Sequence, residues 1–100
     1  MILVESGQVG GTCLNAGCIP TKAYCRTAEI LEEIRHAGAF GISAGQPALD
    51  FAQVKRRKDD IVSGLRANVE TLLESSGVQL VRGQASFKDQ RTVTVCGTDY

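Results

Sequence analysis

The spacing of apolar residues divides the first part of the chain into a strand and a helix. Residues 1–5 are apolar up to Glu5, which predicts a buried strand that ends in an acid and is followed by a polar turn. From about residue 13 to residue 37, apolar side chains recur at steps of three and four residues, the period of one helix face. Gly38 follows the last turn, so one amphipathic helix is predicted to end there. His36 is interpreted as complementing the dipole at that end rather than as a catalytic group.

A loop and a second helix are predicted in the middle of the chain. Residues 38–49 contain three glycines and a proline, which is typical of a loop. Asp50 and Gln53 have the spacing of a capping box, and an apolar stripe continues from there until Gly77. We therefore expect a long helix that is exposed on one side.

The last quarter of the chain is rich in residues that favour strands. Residues 78–87 and 92–96 are separated by four polar residues, so they are predicted to form a strand followed by a hairpin. Cys96 alternates with valines in this hairpin and is interpreted as structural.

Composition and charge exclude several classes of partner. The chain has 100 residues, 43% hydrophobic and 22% charged, as in an ordinary small globular domain. Eleven basic residues balance eleven acidic ones, so no overall field favours nucleic acid or an anionic membrane. The basic run 55–58 is followed by two aspartates and is interpreted as a solvated helix face. A signal-peptide pattern and a membrane-spanning run are both missing, so no membrane partner is expected.

The cysteines are spaced for redox chemistry rather than for a disulfide scaffold. Three of the four lie within one short stretch and the fourth is far from them, at positions 13, 18, 25 and 96. The four-residue gap between the first two differs from the two-residue gap of a zinc knuckle, so no metal site is expected. A catalytic pair in a reducing cytoplasm is the interpretation; a pair of structural cysteines is the alternative. Cys25 is interpreted as a small apolar packing residue.

The first two cysteines could be joined only if the helix around them is distorted. On an ideal helix, Cα atoms five positions apart lie ~8.7 Å from each other, whereas a disulfide tolerates roughly 4.4 to 6.8 Å. Gly17 relaxes the backbone and Pro20 lacks an amide, so both suit an irregular helix entry.

The run from Gly10 to Lys22, GGTCLNAGCIPTK, resembles the active-site signature of the class I pyridine nucleotide-disulfide oxidoreductases. These flavoproteins include dihydrolipoamide dehydrogenase, glutathione reductase and mercuric reductase. The run is most similar to dihydrolipoamide dehydrogenases, because glutathione reductases usually carry Val and Lys in place of Ile19 and Thr21. Tyr24 and Cys25 depart from the leucines that are common in that group.

The resemblance implies an α/β fold, in which residues 1–100 form part of a Rossmann-like FAD-binding domain. The implied elements are a strand, an active-site disulfide helix, a long second helix, a strand and a β-hairpin. The N-terminal Gly-rich βα unit, the NAD-binding domain and the dimerisation domain are expected to be absent from these residues. The isolated fragment is expected to be inactive.

The implied function is FAD-dependent disulfide oxidoreduction with dihydrolipoamide as substrate and NAD as co-substrate. The parent enzyme would be a homodimer that acts on the lipoylated carrier domain of a 2-oxo acid dehydrogenase complex. The alternatives are a glutathione or mercuric reductase of the same family, and a non-catalytic, stand-alone redox module.

The resemblance assigns three residues to the redox chemistry. Cys13 is implied to be the interchange thiol that forms a mixed disulfide with substrate, and Cys18 the thiolate that contacts the flavin. Lys22 lies one helical turn after Cys18 and is implied to lie near flavin N5. A solvated surface lysine is the alternative for Lys22.

Further residues are implied to contact FAD itself. Glu5 fits the acid that binds a ribose hydroxyl at the end of a strand in a dinucleotide-binding unit, the alternative being a plain charged strand end. Gly10, Gly11 and Thr12 resemble the segment that packs against the cofactor, the alternative being a tight turn. Ala85 resembles the point where the backbone passes the adenine.

Overall fold

The computed structural model describes residues 1–100 and contains both helices and strands. In chain order these are β1 (Ile2–Glu5), α1 (Gly11–Ala16), α2 (Cys18–Arg35), a 3-10 helix (Ala37–Phe40), α3 (Phe51–Ser75), β2 (Gln79–Arg82), β3 (Ala85–Phe87), β4 (Val93–Val95) and β5 (Thr98–Asp99). The chain divides into two compact units, one formed by residues 1–11 and 65–100 and the other by residues 12–64.

The first unit contains a parallel pair of strands. β1 pairs with β2 in the register that places Ile2 opposite Gln79 and Glu5 opposite Arg82. Two parallel neighbours need a long crossover connection, and here the helical residues between them provide it. The prediction that residues 1–5 form a strand is confirmed, but the prediction that the strand is buried is wrong. Ile2 is 44% exposed, because β1 has only one neighbouring strand.

The predicted strand over residues 78–87 is in fact two strands in different sheets. β2 belongs to the parallel pair, whereas β3 pairs antiparallel with β4. The break falls at Gly83, whose φ of 145° is a conformation that L side chains rarely adopt. A Cβ atom at this position would lie 2.8 Å from Cγ1 of the buried Val95. A glycine is therefore needed where the chain leaves the parallel sheet.

The predicted hairpin is present and is extended by a further strand that the sequence analysis does not predict. β5 pairs antiparallel with β4, and Cys96 and Gly97 form the two-residue turn between them. Both turn residues have positive φ, 49° and 83°, as in the turns that suit the right-handed twist of a hairpin. Cys96 is therefore an exposed turn residue, which corrects its interpretation as a strand position.

The second unit brings α2 against the first turns of α3. The ring of Tyr24 stacks on that of Phe51 with the centroids 6.0 Å apart, and Lys58 Nζ lies 5.9 Å from the Tyr24 ring centroid. The Arg57 side chain also donates a hydrogen bond to the backbone oxygen of Ala23. Ala23 and Val62 are the buried apolar residues of this unit.

Local signals place both ends of α3 close to where they were predicted. The Gln53 amide donates to Asp50 Oδ1 at 3.2 Å, as expected for an N-terminal cap. At the other end, the Gly77 amide donates to the Glu74 carbonyl and the Val78 amide to the Leu73 carbonyl, the bond pattern of a Schellman motif. The prediction of a long helix over this region is confirmed.

The basic run at residues 55–58 lies on α3 and is partly neutralised there. Asp59 accepts hydrogen bonds from Lys55 at 2.7 Å and from Lys58, and these two lysines lower the pKa of the Asp59 carboxyl. None of the helices in the structure combines the length and apolar content that crossing a membrane requires.

We expect Gly83→Ala to destabilise the chain and Gly64→Ala to stabilise it. The first change places a methyl group against Val95 and Cys96 at a positive φ, and should lower the free energy of unfolding by about 1–3 kcal/mol. The second places the same methyl group in open space within α3, and should raise that free energy by about 0.5–1 kcal/mol. Denaturant titrations monitored by circular dichroism measure both. Equal effects of the two substitutions would contradict the role of Gly83.

We also expect the β3–β5 hairpin to lose stability in acid. Lys88 donates to Asp99 Oδ2 at 2.5 Å and Thr94 to Oδ1 at 2.7 Å, and these bonds hold the pKa of Asp99 below its ordinary range. A carboxyl with a lowered folded-state pKa stabilises the fold above its unfolded pKa, and this contribution disappears as the pH falls below about 4. The protection of the β4 amides, measured as the exchange rate relative to the intrinsic rate at each pH, should therefore fall more in acid for the native chain than for Asp99→Asn. The same acid response in both chains would overturn this assignment.

Candidate redox site

The helix that carries the cysteines is interrupted between them. α1 ends at Ala16 and α2 begins at Cys18, while Gly17 has φ −123° and ψ −110°, outside the helical region. The Thr21 amide donates to the Gly17 carbonyl at 3.1 Å and so makes the first hydrogen bond of α2. Pro20 lies in that first turn, where a missing amide leaves no bond unmade. The predicted single helix is wrong at this position, and the predicted irregular entry is confirmed.

Cys13 and Cys18 are joined by a disulfide. Their Cα atoms are 4.7 Å apart, within the range for a disulfide and far below the ~8.7 Å of a continuous helix. Both residues are exposed, so the sulfurs are within reach of a thiol from outside. The arrangement is able to undergo thiol-disulfide exchange.

The absence of a side chain at Gly17 allows this turn to close. A Cβ atom at residue 17 would lie 3.2 Å from the Cα atom of Cys13 and 3.2 Å from the backbone oxygen of Thr12. Such contacts are tighter than nine in ten real Cβ contacts, so a side chain here would require the neighbouring backbone to move by a few tenths of an ångström. The sequence predicts a relaxed backbone at Gly17 but does not predict this close approach. The only signal for it is a glycine directly before the second cysteine.

Lys22 lies on α2 four residues after Cys18, which places the two on the same helix face. Its side chain is exposed and forms no ion pair in the structure. Thr12, in the first turn of α1, is also exposed, and its backbone oxygen is one of the atoms that a side chain at residue 17 would meet.

Gly10 and Gly11 present bare backbone immediately before the cysteines. Their φ angles are 107° and 72°, and both residues are exposed. A Cβ atom at Gly11 would have no neighbour within 4 Å. A flat ligand could therefore approach this backbone closely.

The structure brings Glu5 close to the segment that contains Ala85. Glu5 is the last residue of β1, and its backbone oxygen accepts a hydrogen bond from the Gly83 amide at 2.9 Å. Its carboxylate accepts a bond from the Gly7 amide at 2.8 Å, which holds the side chain at the turn after the strand. Ala85 begins β3 and is exposed.

The other cysteines are separate from the disulfide. Cys25 and Cys96 are free and exposed, so the interpretation of Cys25 as a packing residue is wrong. Its position on α2 faces away from the small core of its unit, in which Ala23 is the buried residue of that helix. No three His, Cys, Asp or Glu side chains are arranged to hold a metal ion. His36 directly follows α2 as its C-terminal cap, and its Nδ1 lies 3.0 Å from the Glu32 carbonyl oxygen, the terminal position predicted for it.

Comparisons with known proteins place this arrangement in a family. Residues 1–100 match the pyridine nucleotide-disulphide oxidoreductase family. The chain is 40% identical over 99 residues to the dihydrolipoyl dehydrogenase of Bacillus subtilis (strain 168), covering 97% of this chain and 22% of that protein. It is 41% identical over 97 residues to the dihydrolipoyl dehydrogenase of Geobacillus stearothermophilus, covering 97% of this chain and 21% of that protein.

A solved structure shares the fold. The crystal structure of LpdA from Mycobacterium tuberculosis superposes with a TM-score of 0.79 at 19% identity, and the match covers 99% of this chain and 23% of that one. The chain thus spans about a fifth of the length of the curated relatives it matches. The expected α/β fold of Rossmann type is confirmed. With a family match along its whole length and a disulfide at the cysteines of the signature, this chain belongs to the pyridine nucleotide-disulphide oxidoreductase family.

Proposed function

We propose that residues 1–100 are the part of an FAD-binding domain that carries the redox-active disulfide of a dihydrolipoyl dehydrogenase. The observation that carries this proposal is the exposed Cys13–Cys18 disulfide at a helix break, within a chain that matches the family throughout. The relatives at about 40% identity are named dihydrolipoyl dehydrogenases, which favours this activity over glutathione or mercuric reduction.

The residues present fit FAD as the cofactor. The bare backbone of Gly10 and Gly11 offers a surface that a flat ring can approach, and the open space at Gly11 supports this use. Glu5, at the carboxyl end of a parallel strand, has the position of an acid that accepts a hydrogen bond from a ribose hydroxyl. Thr12 and Ala85 complete the proposed cofactor contacts. When bound, FAD would supply the acceptor for the electrons of the Cys13–Cys18 dithiol, with NAD as the proposed co-substrate.

The chemistry of the chain itself is a two-step exchange between sulfurs. A thiolate of dihydrolipoamide attacks Cys13 Sγ, which forms a substrate–Cys13 bond, breaks the Cys13–Cys18 bond and releases Cys18 as a thiolate. The second substrate sulfur then attacks the substrate sulfur of the mixed disulfide and releases Cys13. The substrate loses two electrons and two protons; the cysteine pair gains the two electrons, one proton ends on Cys13 as a thiol, and the other passes to solvent, so that Cys18 stays a thiolate. Cys13 and Cys18 are therefore the catalytic residues of the proposal.

Lys22 is proposed to stabilise the Cys18 thiolate. It lies one helical turn from Cys18, and no carboxylate neutralises its charge in the structure. A cation close to a sulfur favours the thiolate over the thiol. The exposed surface lysine is thus given a role by its position after Cys18.

The proposal includes the surroundings in which the enzyme acts. The substrate is dihydrolipoamide on the lipoylated carrier domain of a 2-oxo acid dehydrogenase complex, and the parent enzyme is a cytoplasmic homodimer. The name that these relatives carry, dihydrolipoyl dehydrogenase, supports a dihydrolipoyl group as the substrate.

We expect Cys13→Ser and Cys18→Ser each to lower dihydrolipoamide-dependent NAD reduction by the full-length protein at least about 10³-fold, because either change removes the disulfide. Cys25→Ser is the matched control, since Cys25 is an exposed free thiol on the same helix, and it should keep activity within about two-fold. Steady-state absorbance of NADH measures all three. Turnover that survives the loss of Cys18 would refute the proposed route.

We expect Lys22→Gln to slow alkylation of the Cys18 thiolate. In a Cys13→Ser background, the rate of iodoacetamide labelling at Cys18 near pH 7 should fall about five-fold, the equivalent of ~1 kcal/mol from one nearby cation. Lys22→Arg should keep most of the rate, and Lys88→Gln should leave it unchanged, because Lys88 pairs with Asp99 on the hairpin. Peptide mass spectrometry measures the labelling. An unchanged labelling rate in Lys22→Gln would contradict the proposal that Lys22 stabilises the Cys18 thiolate.

A further inference from the structure

We infer that Gly17 is a positioning residue that sets the equilibrium between the disulfide and dithiol states of Cys13 and Cys18. The inference rests on the proposed function, because it concerns the same pair of sulfurs. It assigns to a residue without a side chain the task of keeping the two cysteines close enough to form a bond.

The space between α1 and α2 is too small for a side chain at residue 17. In the disulfide state, a side chain at residue 17 would press on the Cys13 Cα atom and the Thr12 oxygen, each 3.2 Å from its Cβ position. Both are backbone atoms, so they cannot rotate aside as a side-chain end can. The disulfide also holds the Cα atoms of Cys13 and Cys18 at 4.7 Å, which prevents residues 12 and 13 from moving away. In the dithiol state this tether is absent and the crowding is relieved.

Helix propensity at residue 17 also differs between glycine and alanine. A continuous helix through residues 11–35 would separate the two cysteine Cα atoms by ~8.7 Å, too far for a disulfide. Alanine favours helical backbone over glycine, so it favours a helical conformation at residue 17 once the disulfide is open. Pro20 already opposes a continuous helix, because it has no amide to donate and its ring would meet the Ala16 carbonyl, and glycine at residue 17 adds to that opposition, so the two thiols stay close in the reduced protein.

Both effects act in the same direction, so a side chain at residue 17 favours the dithiol. The reaction that reports this is reduction by dithiothreitol. Its two thiols become a cyclic disulfide, and its two electrons and two protons pass to Cys13 and Cys18, whose sulfur–sulfur bond breaks. The equilibrium constant of this exchange needs neither FAD nor the physiological substrate.

The experiment equilibrates the full-length protein with dithiothreitol at defined ratios of its thiol and disulfide forms. Free thiols at residues 13 and 18 are then alkylated and counted by peptide mass spectrometry. We expect Gly17→Ala to shift the equilibrium about ten-fold toward the dithiol, which corresponds to ~30 mV in reduction potential. Gly64→Ala is the matched control, since it adds the same methyl group inside α3 where no atom lies within 4 Å, and it should leave the equilibrium unchanged. A shift of less than about two-fold for Gly17→Ala would overturn the inference.

A second measurement separates positioning from a general effect on folding. Unfolding titrations compare Gly17→Ala in the oxidised protein with Gly17→Ala in a Cys18→Ser background, where no disulfide can form. The inference requires that Gly17→Ala lowers the free energy of unfolding of the oxidised protein. In the Cys18→Ser background the same substitution must lower that free energy at least several-fold less, or raise it. Equal destabilisation in both, or failure to fold in both, would show a merely structural role and overturn it.

The two proposals fail in different ways. If Cys18→Ser keeps turnover while Gly17→Ala still shifts the dithiothreitol equilibrium, the catalytic route is wrong and the role of Gly17 stands. If both cysteine variants lose turnover while the equilibrium is unchanged in Gly17→Ala, the catalytic route stands and the inference is refuted.

Discussion

The distance between two sulfurs on one stretch of helix is the constraint on which the site depends. Residues five apart in sequence are too distant for a disulfide on a regular helix, and here their Cα atoms are only 4.7 Å apart. The backbone meets this requirement by leaving the helical conformation at Gly17 and resuming it at Cys18. Pro20 is accommodated in the new first turn, where no amide donor is needed. The local sequence is thus adapted to the bond rather than to the helix.

The break also explains why both sulfurs are accessible. Each helix begins or ends next to the disulfide, so the bond lies at a helix junction and not within the buried face of a helix. The buried residue of α2 is Ala23, five positions after Cys18, and the packing against Phe51 begins at Tyr24. The first turn of α2 therefore carries the disulfide, and the following turns pack against α3. This division lets a reactive bond coexist with an ordinary helix–helix contact.

A second glycine has a comparable role in the other unit. At Gly83 the chain leaves the parallel pair of β1 and β2 and enters the antiparallel strands, and no side chain fits beside Val95. The Gly83 amide still bonds to the Glu5 carbonyl, so the end of β1 is held next to the start of β3. The proposed ribose acid and the proposed adenine contact lie on these two segments. In each unit, then, a missing side chain allows the backbone to approach a neighbouring segment closely.

The sequence alone determined the features that depend on neighbouring residues. The ends of α3 followed from Asp50 and Gly77, because a cap and a C-terminal glycine act within one turn. The family followed from the run around Cys13 and Cys18, because a signature is a local pattern. Only the tertiary structure decided that residues 78–87 form two strands, because β2 pairs with β1, which is distant in sequence, whereas β3 pairs with β4. It also decided that Cys25 is exposed and that β1 is only partly covered, because burial depends on what the rest of the fold places against a residue.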